Sequence, residues 1–489
     1  MNAPHLTELQ PSSLWQHFAK ICSIPHPSGY EAQLAEHIQH WATDLGLSVT
    51  QDHVGNLIIR KPATSGLEHA PGVVLQAHLD MVPQKNSTTQ HDFTKDPINA
   101  YIEGDWVTAE NTTLGADNGI GVSAILAVLE STHLQHGPIE ALFTIDEESG
   151  MTGAMGLQPG QLQGSILLNL DSEDEGELYL GCAGGVDICA DWTYSPEPVP
   201  ADYQSFELAI TGLKGGHSGV DIHLGRANAN KLMARLLCEA DQAELPIRVS
   251  HIQGGSLRNA IPREAFIKLA CPNAAVMQLK TWQADQQAIL NNELQHAEPD
   301  LQLTLSEIAP LAQLMPAASQ KTLSHTLSAC PHGVMRMSDT VQGIVESSTN
   351  LGVITVEDGR IHVASLARSL IDSAGQALAN AVANTFRLAN ATIRFEGAYP
   401  GWQPNMQSSV LQTMIGVHQR LFEVKPEIKV IHAGLECGLL AAAYPHWDMI
   451  SFGPTIRYPH SPDEKVNIHS VQRFWDLLVA TLKAIATEQ

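Results

Sequence analysis

Residues that can hold a cation or move a proton cluster at a few points of the chain, each just after an apolar run. Val73-Val74-Leu75-Gln76-Ala77 runs into His78-Leu79-Asp80, Ile139 to Ile145 into Asp146-Glu147-Glu148, and Ile166 to Leu170 into Asp171. Alternation along a strand puts residues 78 and 80 on one side. A metal-binding histidine usually donates its second ring N–H to a carboxylate, and Asp80 is placed to receive it. Two adjacent glutamates are costly if both ionise in a confined site, and a cation relieves that cost. Neighbouring residues point apart, so one of the pair can coordinate while the other faces water. Asp117 is a further acid, in Thr-Leu-Gly-Ala-Asp-Asn-Gly-Ile-Gly, where glycines permit a tight turn before a helix. His460 lies in a proline-stiffened loop, Tyr458-Pro459-His460-Ser461-Pro462, beyond the apolar run Met449 to Phe452. Each signal has a plain alternative when taken alone. Asp117 serves as well as a helix N-cap, His-x-Asp arises by chance, and Glu147-Glu148 suits a solvated acidic loop. No CxxC or HExxH motif is present, so a metal site has to be assembled from distant positions.

The elements that would assemble it follow from periodicity. Leu34, Ile38, Trp41, Ala42 and Leu45 make one helix face, with Gly46 as its stop. Residues 47–61 read as a hairpin bending near Gly55-Asn56, and Gly119 to Glu130 as a helix. Strands alternating with helices predict an α/β fold with a mixed, mainly parallel sheet, and ligands bind beyond the carboxyl ends of such strands. The character changes near residue 190. Asp191 to Asp202 holds three prolines and reads as a linker. Beyond it, Phe206 to Thr211, Ile247 to Ile252 and Ala265 to Ala270 read as strands, and Ala227 to Leu237 and Met277 to Leu294 as helices. Gly343 to Thr355, a turn at Glu357-Asp358-Gly359, Ile361 to Ala367 and helix Ala374 to Leu388 echo the same hairpin-plus-helix layout. From about residue 395 the α/β character returns, with helices Leu411 to Leu421 and Val471 to Ala486. The expected organisation is a catalytic domain over 1–188 and 396–489, interrupted by an inserted α+β domain over 189–395 built as one or two such units.

Composition narrows the function. The chain has 489 residues, 44% hydrophobic and 16% charged, which excludes global disorder. Lys and Arg total 27 against 52 Asp and Glu, a net charge of -25. So acidic a chain repels phosphate backbones and anionic lipid, and neither nucleic acid nor a membrane is an expected partner. Seven scattered cysteines fit a reducing compartment. Residues 1–12 show no basic region followed by an apolar run, and no stretch of about 18 apolar residues occurs, so a cytoplasmic protein is expected.

Several motifs occur together in fixed order: Ala77-His78-Leu79-Asp80-Met81-Val82-Pro83, Gly115-Ala116-Asp117-Asn118-Gly119-Ile120-Gly121, Asp146-Glu147-Glu148-Ser149-Gly150, Asn169-Leu170-Asp171-Ser172-Glu173, Lys214-Gly215-Gly216-His217-Ser218-Gly219 and Pro459-His460-Ser461-Pro462-Asp463-Glu464. With Leu257-Arg258-Asn259-Ala260-Ile261-Pro262-Arg263, Gly401-Trp402-Gln403-Pro404 and His432-Ala433-Gly434-Leu435-Glu436-Cys437-Gly438, the chain resembles, nearly end to end, the bacterial aminoacyl-histidine (Xaa-His) dipeptidases. These are di-zinc peptidases related to carnosinase and carboxypeptidase G. The resemblance implies two zinc ions per subunit, with cobalt or manganese as substitutes. It implies that His78, Asp117 and Asp171 hold one ion, and that Asp117 as a bridge, Glu148 and His460 hold the other. Asp80 would orient His78, and Glu147 would be general base toward a hydroxide shared by the two metals. His217 would stabilise the oxyanion, though the flanking glycines also fit a turn histidine. Arg368 would capture the substrate carboxylate, though a surface salt bridge suits it too, and Asn259 and the Gly434 backbone would make further substrate contacts. The inserted domain would act as a lid, and a homodimer is expected.

The expected activity is therefore hydrolysis of unblocked dipeptides, Xaa-His and β-alanyl-histidine foremost. An amidohydrolase of N-acyl amino acids would use the same core, and N-acetylated dipeptides separate the two. A non-catalytic scaffold on this fold is the reading from another class, and the presence of Glu147 and all five ligands weighs against it.

Overall fold

The computed structural model describes residues 5–488. Residues 1–4 of the amino-terminal stretch read above for targeting lie outside the described residues. The chain divides into two compact units. The first takes the chain up to Gly181, Pro404–Val430 and the chain from Leu435 on; the second takes Cys182–Gln403 and Ile431–Gly434.

The first unit is built on an eight-stranded sheet. Its strand order is Ser48–Gln51, Leu57–Lys61, Ile139–Thr144, Val73–His78, Ile166–Asn169, Asp448–Ser451, Glu177–Cys182 and Glu427–Ile431. The four strands in the middle run parallel. The Ser48–Gln51 hairpin and Glu177–Cys182 pair antiparallel beside them. Parallel central strands are covered on both faces and lose the polar-apolar alternation. Accordingly, every residue of Val73–His78, Ile139–Thr144 and Ile166–Asn169 is buried. The register sets His78 beside Thr144, so those two strands end level, and Asn169 beside Gln76, so Ile166–Asn169 stops two residues earlier and its continuation brings Asp171 toward His78.

Helices cover this sheet. Ser12–Cys22 buries Leu14, Trp15, Phe18, Ile21 and Cys22 along one face. Ala32–Asp44 buries Leu34, Ala35, Ile38 and Ala42, and Gly46 follows it at φ 75, the left-handed stop its sequence predicts. Helix Ala116–Glu130 is buried nearly all round, as its uniformly apolar and small side chains require. A Cβ at Gly121 would lie 2.6 Å from the Leu170 carbonyl oxygen, so only glycine lets this helix close on the strand end that leads to Asp171.

The second unit holds a nine-stranded sheet. Eight strands lie in the order Gln302–Glu307, Tyr203–Thr211, Ala265–Pro272, Arg248–Gly254, Val345–Glu357, Arg360–Ser369, Gly184–Thr193 and Thr392–Tyr399, and Gly333–Met337 pairs with Val345–Glu357. Helices Ala229–Gln242, Val276–Leu294, Ala317–Ala329 and Asp372–Arg387 pack on it. Their shared core includes Phe206, Met233, Leu279, Leu323 and Phe386. The two hairpin-plus-helix passages thus belong to one sheet and one core. Asp358 and Gly359, at φ 47 and 76, close the tight hairpin between Glu357 and Arg360.

Two expectations about the insert change. The proline-rich stretch 191–202 is only partly a connection: Asp191 to Thr193 end the long strand Gly184–Thr193, and Glu197–Pro198 pairs with Gln313–Leu314. The cuts after 188 and 395 fall inside strands Gly184–Thr193 and Thr392–Tyr399, whereas the compact units divide at Gly181 and Gln403. Composition shifts within those two strands, so it misplaces the division.

Candidate metal centre

The strand ends bring five ligand-type side chains of the first unit together. His78 Nε2 lies 3.2 Å from Asp117 Oδ1 and 3.3 Å from Asp171 Oδ1. His460 Nε2 lies 3.3 Å from Asp117 Oδ2 and 3.0 Å from Glu148 Oε1. The Asp117 carboxylate therefore presents one oxygen to each group. Glu147 joins His78 and Glu148, with one ligand atom from each residue within 4.8 Å of the others.

The backbone around these residues is specialised. Asp117 follows Gly115, which is left-handed at φ 72, and the Asp117-Asn118 peptide is cis. The Asn118 side chain donates to the Leu170 carbonyl at 3.1 Å and to the Asp171 carboxylate. Asp146, before the two glutamates, and His460 are both left-handed, at φ 55 and 59.

Asp80 does more than orient a ring. His78 Nδ1 lies 3.0 Å from the Asp80 carbonyl oxygen and 3.3 Å from its carboxylate. The same carboxylate accepts the Glu147 and Glu148 amides at 2.9 and 3.1 Å and the Ser28 hydroxyl at 2.8 Å. It thereby positions the base candidate and two ligand candidates together. Burial opposes its charge, but His78, Ser28 and the Glu147 amide hold its pKa down, at about 2.

Charge is poorly balanced here. Burial raises Glu147 well above the ordinary glutamate range, with Asp171, Glu436 and Glu148 adding to the shift against His78. Burial lifts Asp171 to about 7, and the same cause raises Glu148. His78 is buried, which disfavours its charge, yet Asp171, Asp117 and Asp80 hold its pKa well above the usual value. Contacts with Asp117 and Glu148 lift His460 to about 11.

The donor set fits divalent cations. Two atoms bound at about 2.0–2.2 Å to one tetrahedral metal lie about 3.3–3.6 Å apart, near the spacings above. Glu148 Oε1 is buried and, although 3.0 Å from the His460 ring, finds no partner at a hydrogen-bonding angle. The His460 imidazole and the Asp117 and Glu148 carboxylates converge without hydrogen-bonding geometry, as ligands of one cation do. Deeper in the unit, Glu436 is fully buried and pushed up to about 8 by burial, accepting from Gln76 and Thr144 at 2.7 Å each. Asn169 donates to Gln76, so one amide-carboxyl layer joins three strands two or three residues before His78, Glu147 and Asp171.

The second unit carries its own polar cluster. His217 Nδ1 accepts the Gly219 and Val220 amides at 3.2 and 3.0 Å, which leaves the ring proton on Nε2. Burial, then Arg368, lowers its pKa to about 4, so the ring is a neutral donor. Asn259 is exposed, and its carbonyl accepts the Ser218 amide at 2.8 Å. Arg368 is buried rather than part of a surface salt bridge. Its Nη1 donates to the Tyr399 hydroxyl at 2.7 Å and its Nε is unpartnered. A side chain at Gly434 would meet the Tyr399 ring at 2.8 Å, so only a bare backbone passes there. His432, beside Ser348 Oγ at 2.7 Å, is buried, and burial and Arg368 push it down to about 3. Tyr399 and His432 escaped the sequence reading, although His432 opens a motif quoted there.

Comparison with known proteins bears on these sites. The profile of a peptidase dimerisation domain matches residues 208–298. The cytosol non-specific dipeptidase of Escherichia coli (strain K12) is 52% identical over 480 residues, covering 98% of this chain and 99% of that protein. The crystal structure of an aminoacylhistidine dipeptidase from Vibrio alginolyticus superposes with a TM-score of 0.91 at 53% identity, covering 98% of each chain. An aminopeptidase from Bacillus cereus, at 16% identity and a TM-score of 0.58 over 98% of this chain and all of its own, shares the fold. Near-complete coverage at such identity, on a fold with this dimerisation domain, places the chain in the M20 metallopeptidase family.

Proposed function

We propose that the protein is a metal-dependent dipeptidase of the cytosol that hydrolyses dipeptides with a free amino terminus, Xaa-His dipeptides such as β-alanyl-histidine foremost. The observation that carries this is the Asp117 carboxylate, which offers one oxygen to His78 and the other to His460. The names of the two relatives above 50% identity support the substrate class.

His78, Asp117 and Asp171 would hold one cation, and Asp117, Glu148 and His460 a second. Imidazole and carboxylate donors suit zinc, with cobalt or manganese as substitutes. Bound there, a pair of divalent cations supplies Lewis acidity that makes water a nucleophile at neutral pH and polarises a carbonyl. Glu147 takes the proton of the attacking water and passes it to the leaving amine. Asp80 holds the Glu147 backbone and the His78 ring in place for that transfer. The His217 Nε2–H donates to the developing oxyanion. The Arg368 fork, with Asn259 and the Gly434 backbone, receives the substrate's terminal carboxylate. The matched dimerisation domain supports a homodimer.

The test is hydrolysis of carnosine, several α-dipeptides and their N-acetylated forms, before and after stripping with chelator. Turnover of free dipeptides, lost on stripping and regained with zinc, is expected. Turnover that survives complete metal removal, or a preference for the N-acetylated forms, overturns the reading.

A further inference from the structure

We infer that Glu464 is a positioning residue of the metal centre: its carboxylate clamps the segment carrying Asp117 to the loop carrying His460 and so presets the distance between those two ligands. The inference rests on the binuclear reading above. Glu464 is buried, with 2% of its surface exposed. One of its oxygens accepts the amides of Leu114 and Gly115 at 2.8 and 3.1 Å, and the other those of Ala116 and Asp117 at 2.8 and 3.3 Å. Four successive amides aimed at one point form a nest, a shape that binds anions. Here the chain fills it with its own carboxylate.

This is more than a helix cap. Asp117 and Asn118 leave helical geometry, at φ -84, ψ 106 and φ -107, ψ 27, so the four amides belong to the irregular turn that aims Asp117. On the other side, the Glu464 amide donates to the Ser461 carbonyl at 3.0 Å, and its own carbonyl accepts the Thr108 hydroxyl at 2.8 Å. The following strand, Lys465–Asn467, pairs with Trp106–Ala109. Between this anchor and Arg457, Tyr458 and His460 are both left-handed, at φ 56 and 59, a conformation that persists only where the surroundings impose it. The contacts close a ring: Glu464 to the Asp117 amide, the Asp117 carboxylate to the His460 ring at 3.3 Å, and four residues back to Glu464.

A carboxylate is the group this nest needs. Glutamine has the same shape but one acceptor oxygen, so E464Q turns an NH2 toward two of the four amides. The cation held by Asp117, Glu148 and His460 is then the first to loosen.

The experiment compares wild-type holoenzyme with E464Q. Metal per chain is counted after desalting, and release into a chromogenic chelator is timed. The wild type should hold two ions. In E464Q one of them should leave at least about tenfold faster, the range typical of residues that orient metal ligands. The fall in kcat should be recovered by excess zinc while KM stays within about twofold, a split that general loss of folding does not produce. Two ions released at the wild-type rate from folded E464Q overturn the inference and leave the binuclear reading standing. A wild-type protein that holds no metal overturns both. Should E464Q not fold, hydrogen exchange on the wild type decides. Amides 114–117 are expected to be protected alike in loaded and stripped protein, and rapid exchange there after stripping overturns the clamp.

Discussion

A carboxylate shared between two imidazoles is the residue-scale feature from which the chemistry grows. Glu147 contributes no atom to that bridge, and its charge is opposed by burial and by the acids around it. It can therefore be neutralised at little cost to the ligand set. We predict that E147Q retains the wild-type metal content while kcat drops by about 10²–10⁴-fold, the usual worth of a general base. Metal analysis and steady-state kinetics on one preparation check this. The raised acids also dictate how cations bind. Without metal, Asp171 titrates near 7, Glu147 and Glu148 are raised, and His460 titrates near 11. Near neutrality Asp171 and His460 hold protons that bound cations displace. Binding should thus release protons, and affinity should fall as pH drops from about 8 to about 6 through the Asp171 value. Zinc titration in a pH-stat at several pH values measures both. At this scale His78, Glu148 and Asp171 are legible as candidate ligands because each comes just after an apolar run that reads as a strand. Glu464, Tyr399 and His432 are not, because their roles lie in contacts with backbone or rings far along the chain, which no spacing encodes.

At the scale of elements, precision comes from three adjacent parallel strands held in register and from a helix packed tightly on the end of one of them. Gly121 is the contact that permits this packing, with the Leu170 carbonyl 2.6 Å from any added Cβ. G121A should push helix Ala116–Glu130 away from the strand end and cost about 1–3 kcal/mol, as overpacking generally does. Denaturant unfolding gives the stability loss, and a parallel loss of metal affinity is expected because Asp117 and Asp171 sit at either side of the contact. Most elements are legible from periodicity, including Val276–Leu294 and the hairpin closed by Asp358-Gly359. The single nine-stranded sheet is not legible. Antiparallel strands can be joined in many orders, and alternation gives the face of a strand without giving its neighbour.

For the whole molecule, two compact units and a net charge of -25 set the behaviour in solution. No helix among the described residues is long and apolar enough to cross a membrane. The match of residues 208–298 to a peptidase dimerisation domain leads to the prediction of a homodimer, twice the 52.8 kDa monomer mass. Sedimentation velocity at about 0.15 M salt, where like-charge repulsion between subunits is largely screened, should show one species of that mass and no monomer at micromolar concentration. Interruption of one unit by another is legible in composition. Its boundaries are not, since residue types do not change at Gly181 or Gln403.

The short return of Ile431–Gly434 to the second unit has a consequence for biosynthesis. The Ala183 amide donates to the carbonyls of Ile431 and Ala433 at 3.0 and 3.1 Å, so the residue that leads into that unit's first strand waits for partners made some 250 positions later. Domains commonly fold as they emerge from the ribosome, the amino-terminal one first. Here neither unit is a contiguous piece, and neither has all its parts before residues 431–434 are made. A nascent polypeptide stalled short of residue 431 would leave the eight-stranded sheet unfinished, for chaperones to shield.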